Sequence, residues 1–185
     1  MAFYPFAVPT PGLSPSPDWS GLVAWTVDPA ANSGTAAPVN GTLYLMGIKA
    51  DATVPASALW WIITTAGVGP VAGQNWATFY SSAGVLLASV NIDAAVTGIN
   101  GQQSVMPSAT VFQAGNWYYT GLLFNAATPP VLSRTQQANG NISQAGPLFT
   151  PGPWRQAIGG TLLTAPPASI TPVRSGNLGI IAGVS

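Results

Sequence analysis

Only 4% of the 185 residues are charged, four basic and four acidic, and histidine, cysteine and glutamate are absent, against roughly 25% charge in an average soluble domain. That inventory excludes disulfides, Cys/His zinc sites and every catalytic arrangement that needs an imidazole or a thiolate. Four scattered cations cannot form the basic stripe that neutralises phosphates, so nucleic acid falls away as a partner and anionic membrane surfaces are disfavoured.

The length suits one domain with flanking arms, and a core can be buried without staples. At zero net charge nothing keeps copies of a lone monomer apart. The expectation is a homo-oligomer, or a subunit covered by other proteins, although a merely neutral surface hydrated by Ser, Thr, Asn and Gln is the competing reading. The longest apolar run, Ala58 to Ile63, is far shorter than the roughly 18–20 residues of a spanning helix, so no membrane insertion is expected. Met-Ala-Phe-Tyr-Pro-Phe at the start lacks the cationic region of a secretory signal, which leads to an expectation of assembly in the cytoplasm without export.

In chain order, residues 1–17 come first, with Pro5, Pro9, Pro11, Pro15 and Pro17. Each proline fixes φ and removes a donor, which predicts an extended, Pro-rich arm. Phe3, Tyr4 and Phe6 have no local core to enter. They belong either to a frayed end or to an anchor that docks on a neighbouring subunit.

From Asp18 onward the pattern is strand and turn. Strands are predicted over Gly21–Val27, Thr42–Ala50 and Ala58–Thr65, with loops at Ala30–Gly41 and Ala66–Gln74. Leu59 to Ile63 is apolar on both faces, as in a strand covered on both sides. Asn75–Ser81 and Gly84–Val90, joined by Ser-Ser-Ala-Gly, predict a hairpin with Trp76, Thr78 and Tyr80 on one face and Ala77 and Phe79 on the other. A second strand pair is expected at Ser108–Phe112 and Asn116–Phe124 across Gln113-Ala114-Gly115, with Trp117, Tyr119 and Leu123 opposing Tyr118, Leu122 and Phe124. A short strand follows at Val131–Arg134, then a polar stretch at Gln136–Gly146 and a Pro/Gly-rich remainder with apolar pieces at Thr161–Leu163 and Leu178–Val184. About eight short strands with regular turn signals predict an all-β, antiparallel β-sandwich, jelly-roll-like, over residues 18–165, followed by a C-terminal extended segment or strand at 166–185.

Chemistry is sparse. The aspartates are Asp18, Asp28, Asp51 and Asp93, and at strand ends such residues are turn formers that cap backbone amides. A glycoside hydrolase would need two facing carboxylates, and Asp51 with Asp93 is the pair to test. Lys49, the only lysine, reads as a surface ion pair with Asp51, worth less than about 1 kcal/mol. Gly67-Val68-Gly69 lacks the remaining spacing of a dinucleotide fingerprint. Asn40 and Asn141 open Asn-x-Ser/Thr triplets, which mean little in a chain without an export signal. No catalytic, metal-binding or cofactor-binding residue is assigned, and no cofactor is implied. What remains is a binding surface. The seven tryptophans and five tyrosines suit either a core or stacking on sugar rings, and the core is the preferred reading because most of them lie inside predicted strands. Trp154, in the loop-like Pro151-Gly-Pro-Trp-Arg, is the candidate exposed binding aromatic.

Several pieces, in order and spacing, resemble a β-sandwich domain of minor tail and tail-fibre proteins of siphophages infecting actinobacteria. They are Gly41-Thr-Leu-Tyr-Leu, Thr64-Thr-Ala-Gly, Gly73-Gln-Asn-Trp-Ala-Thr-Phe-Tyr-Ser-Ser-Ala-Gly-Val-Leu-Leu-Ala, Ala114-Gly-Asn-Trp-Tyr-Tyr, Ala127-Thr-Pro-Pro and Leu162-Leu-Thr-Ala-Pro-Pro-Ala-Ser-Ile-Thr-Pro. The resemblance implies a β-sandwich that projects from a virion, often as a trimer, contacts the host envelope and carries no catalytic residues; the expected partners are other virion proteins and host surface carbohydrate. Such domains commonly end long tail proteins, whereas only a short arm precedes this one. The leading expectation is therefore a tail-associated accessory fibre or minor tail protein that aids host attachment. A capsid decoration or head-fibre protein anchored by residues 1–17 is the alternative, and a glycan-degrading enzyme using an aspartate pair is a third reading.

Overall fold

The computed structural model of the chain describes residues 22–26, 32–135, 155–174 and 179–185. The predicted arm at 1–17, the stretch at Gln136–Gly146 and Trp154 lie outside these residues.

The described chain is an antiparallel β-sandwich. Its strands are β1 (Ala24–Trp25), β2 (Gly34–Ala36), β3 (Leu43–Lys49), β4 (Val54–Thr65), β5 (Val68–Pro70), β6 (Trp76–Ser81) and β7 (Leu86–Asn91). One helical turn, α1 (Asp93–Val96), precedes β8 (Asn100–Phe112), β9 (Trp117–Leu123), β10 (Ala126–Thr128), β11 (Val131–Arg134), β12 (Gln156–Gly160), β13 (Val173–Arg174) and β14 (Ala182–Val184).

The first sheet is built around β4. Ile63 pairs with Asn100 on one side and Leu132 on the other, and Trp60 pairs with Gln103 and Gly183. Strand β8 therefore holds one flank of β4, while β14 and β11 share the other, extended by β1 and β2 respectively. The second sheet runs β13-β12-β3-β9-β6-β7. Strands β5 and β10 form a small separate ribbon.

Alternation writes the core. Leu59, Trp61 and Ile63 from β4 face Tyr44, Met46 and Ile48 from β3, and Ala77 and Phe79 from β6. Phe112 lies edge-on to Phe79, with ring centroids 5.4 Å apart, and stacks on Tyr118 at 4.0 Å with an interplanar angle of 2°. Such pairs add about 0.5–1.5 kcal/mol beyond the area they bury.

That stack corrects one expectation. Strands β8 and β9 are not a hairpin, because β8 pairs with β4 in the first sheet whereas β9 lies between β3 and β6 in the second. Residues 113–116 are an arch that changes sheets. Gly115, at φ 79°, supplies the left-handed turn that either connection needs, so the turn signal alone could not separate them. The β6–β7 hairpin forms as expected. Strand β4 begins at Val54, ahead of the predicted start, and the predicted loop after it holds β5.

The outer face of the second sheet is also covered, and by the chain itself. Leu43, Leu45, Tyr80, Tyr119 and Leu123 form a second cluster under Ile170 and Leu163. A strap over residues 161–172 is stitched down: Leu163 N–H donates to Gly41 C=O at 2.8 Å, Leu86 N–H to Ala168 C=O at 2.9 Å, and Ile170 N–H to Gly84 C=O at 2.8 Å. The Tyr80 hydroxyl donates to Pro167 C=O at 2.9 Å. Burial pushes the Tyr80 hydroxyl pKa well above its ordinary value.

Candidate functional site

The two sheets differ in what lies outside them. The strap leaves the second sheet double-sided, while the first keeps an apolar groove on its outer face. Side chains on β4 alternate, so Trp60 and Ile62 point away from the core that holds Leu59, Trp61 and Ile63. Both are only partly buried. Trp25 pairs with Gly183, which in turn pairs with Trp60, so the two tryptophans stand two strands apart on one face, with α-carbons about 10 Å apart.

Two glycines shape the space between and beside them. Gly183 makes room for Leu22, whose Cδ1 would lie 2.5 Å from a β-carbon built there. Gly101, opposite Ile62, has nothing within 4 Å of such a carbon. The result is a groove of about 170 Å³ lined by Leu22, Trp25, Trp60, Ile62, Gly101 and Ile181 among others. The Trp60 indole N–H donates to the Ser185 hydroxyl at 2.8 Å. None of the lining residues is ionisable. Among the described residues, the groove therefore offers apolar and aromatic contact and no ionisable side chain.

Next to the groove runs β8. Along Asn100–Phe112 there is no charged residue, and Val105 and Val111 are 62% and 53% exposed. Its only strand partner among the described residues is β4. The register slips between Ala56 and Ala58, opposite Thr110 and Val105, so the segment around Pro107 bulges out of the ladder, and proline at a bulge blunts an open edge.

The aspartates are placed plainly. Asp93 Oδ2 accepts from Gly73 N–H at 2.7 Å and Oδ1 from Asn75 Nδ2 at 2.8 Å, so it caps backbone as anticipated, though of a loop twenty residues away. Burial alone would raise its pKa, but the hydrogen bonds from Gly73 and Asn75 and the nearby Asn91 amide outweigh this and hold it below the ordinary carboxylate value. Asp51 is exposed beyond Lys49, and no ion pair joins these two. Asp93 sits at the Leu123 end of the second sheet and Asp51 at the Trp117 end, six residue steps or about 20 Å apart along β3. Two glycosidase carboxylates stand about 5–9.5 Å apart. This pair does not meet that geometry. Among the described residues no three acidic, His or Cys groups cluster as a metal site, and no helix is long and apolar enough to cross a membrane. Asn40 has its side-chain amide engaged with the backbone of Ala126 on both sides, at 2.7 and 3.0 Å.

Phe3, Tyr4, Phe6 and Trp154 lie outside the described residues, as do Asp18, Asp28 and Asn141. The groove was missed in the sequence. Trp60 reads there as covered on both sides, and the roles of Gly101 and Gly183 depend on pairings between strands far apart in the chain. No family model matches the chain, and no curated protein matches it.

Proposed function

We propose that this chain is a structural protein of a bacteriophage particle, a tail-associated accessory fibre or minor tail subunit that works as one of several copies and holds neutral host surface glycans. The observation that carries the reading is the contrast between the two outer faces. One is closed by the chain's own strap, and the other, among the described residues, keeps two tryptophans and an uncharged edge strand open in a protein with only eight charged side chains. Apolar surface of that kind is an interaction surface. The order and spacing of the segments that resemble siphophage tail domains supports the particle assignment, and the Pro-punctuated piece among them, Leu162 to Pro172, forms the strap. Weak neutral contacts gain strength from many copies at high effective concentration.

Electron microscopy of particles decorated with an antibody against the chain tests this. Label at the tail is the expected result. Label on the capsid would replace the tail role with decoration, and particles without label would overturn the virion assignment. Binding of the purified protein to host wall polysaccharide, insensitive to salt because no ion pairs are involved, tests the glycan role, and a strongly salt-dependent affinity would overturn it.

A further inference from the structure

The notch over Gly101 points to its occupant. Its walls, Trp60, Ile62 and Trp25, carry no charge, and its base lacks a side chain, so the best guest is an uncharged ring that removes apolar surface from water. The described chain reaches this same face at Leu22, which itself lines the groove. The first seventeen residues of the sequence contain no charged side chain and place Phe3, Tyr4 and Phe6 around Pro5.

Reach decides whose groove is filled. From Phe6 to Leu22, at the roughly 3.1 Å per residue of polyproline spacing, the chain can span about 50 Å. A compact chain of this length has a radius of gyration near roughly 16 Å. To enter its own groove the segment would have to reverse within that stretch, although Pro9, Pro11, Pro15 and Pro17 each fix φ. A neighbour's groove requires no reversal. We infer that the Phe3–Phe6 segment of one copy seats an aromatic ring in the Gly101 notch of a second copy, against Trp60 and Ile62. This rests on the assembly reading above for the presence of a neighbour. One copy gives a segment and another gives a groove, so the contact closes either by reciprocal exchange in a two-fold dimer or head-to-tail as a ring.

Two variants of the full chain test it. Phe3→Ala/Tyr4→Ala/Phe6→Ala keeps the groove and loses the rings. Gly101→Leu fills the notch at a position where an added β-carbon would have nothing within 4 Å. Each variant alone is expected to self-associate at least about tenfold more weakly than the parent by sedimentation, a difference of 1.4 kcal/mol. Mixed in equal amounts, they are expected to form a one-to-one heterodimer, since one supplies the groove and the other the segment. An unmodified chain that associates while both variants associate equally well would overturn this contact and leave the assembly reading standing. A monomeric parent chain would overturn both. Weakened association without a heterodimer on mixing would overturn the exchange between copies. Thermal unfolding of each variant at the parent midpoint is the accompanying check that the fold is kept.

Discussion

The side-chain carbonyl of Asn75 accepts the backbone N–H of Asn125 at 2.7 Å, across fifty residues of sequence. Asn75 is fully buried, and its amide nitrogen also donates to Val71 C=O at 3.0 Å and to Asp93. Asn125 continues the chain of bonds to Gln74 C=O and Leu163 C=O. One amide thus ties the loop before β6, the end of β9, helix α1 and the start of the strap. Asn75→Ala leaves those partners without it inside the fold, and each unsatisfied group costs about 1–3 kcal/mol. The expected loss is about 2–4 kcal/mol, which lowers the thermal midpoint by roughly 6–12 °C for a chain this long. Calorimetry measures it, and a change below about 1 kcal/mol would show that water replaces the amide at no cost.

Stability should be nearly independent of pH between about 5 and 9, because no histidine is present to titrate there. The acid limb involves Asp93. Its carboxyl is held below the ordinary value in the fold, so the ionised form contributes stability above the unfolded pKa of about 3.9, and that contribution disappears as pH falls through the lower, folded value. The unfolding midpoint should therefore decline only below about pH 4. Asp93→Asn should be less stable at pH 7 and show a shallower acid decline. Equal slopes in the two proteins would remove Asp93 from the explanation.

How much of this was legible in the sequence depends on the range of the interaction. The facing of β6 and β9 follows from alternation alone: Ala77, Phe79, Tyr118 and Leu122 are in the main core, and Trp76, Tyr80, Tyr119 and Leu123 are on the other side. What covers that other side does not follow, since Ile170 reaches it from nearly fifty residues beyond Leu123 through bonds made by backbone. Strand β12 has two glycines in five residues and no alternation to read. It exists because β3 offers it a partner edge. The outer groove is of the same kind, built from Trp25, Trp60 and Gly183 only once β14 lies between β1 and β4.

The arch between β8 and β9 makes Phe112 the hinge of the aromatic core, fully buried between Phe79 and Tyr118. Phe112→Ala is expected to cost about 3–5 kcal/mol by transfer and cavity terms. Phe112→Leu should recover more than half of that in chemical denaturation. A small cost for the alanine variant would mean that the two sheets close over the gap.

Thr78 presents the opposite case. Its hydroxyl is buried with no hydrogen-bond partner among the described residues, facing Gly121 on the next strand. Burying an unsatisfied hydroxyl costs about 1–3 kcal/mol, so Thr78→Val should be neutral or stabilising by about 1 kcal/mol, provided the extra methyl finds room beside Gly121. A destabilised variant in urea unfolding would reveal crowding as the stronger effect.

The strap depends on Gly84. This residue sits at φ +81°, and a β-carbon there would lie 2.1 Å from the Ile170 carbonyl oxygen. Gly84→Ala therefore combines a left-handed backbone, costing about 1–2 kcal/mol, with a collision against the strap. The backbone bond from Ile170 N–H to Gly84 C=O should be lost with it. The strap would lift from the second cluster and uncover Tyr80 and Leu86, while the inner core between the sheets keeps its own contacts. Hydrogen exchange should show faster exchange at Leu86 and Ile170, with little change at Leu59 or Phe79. Uniform loss of protection in both clusters would mean that the strap is part of one cooperative unit with the sandwich rather than a cover laid over it.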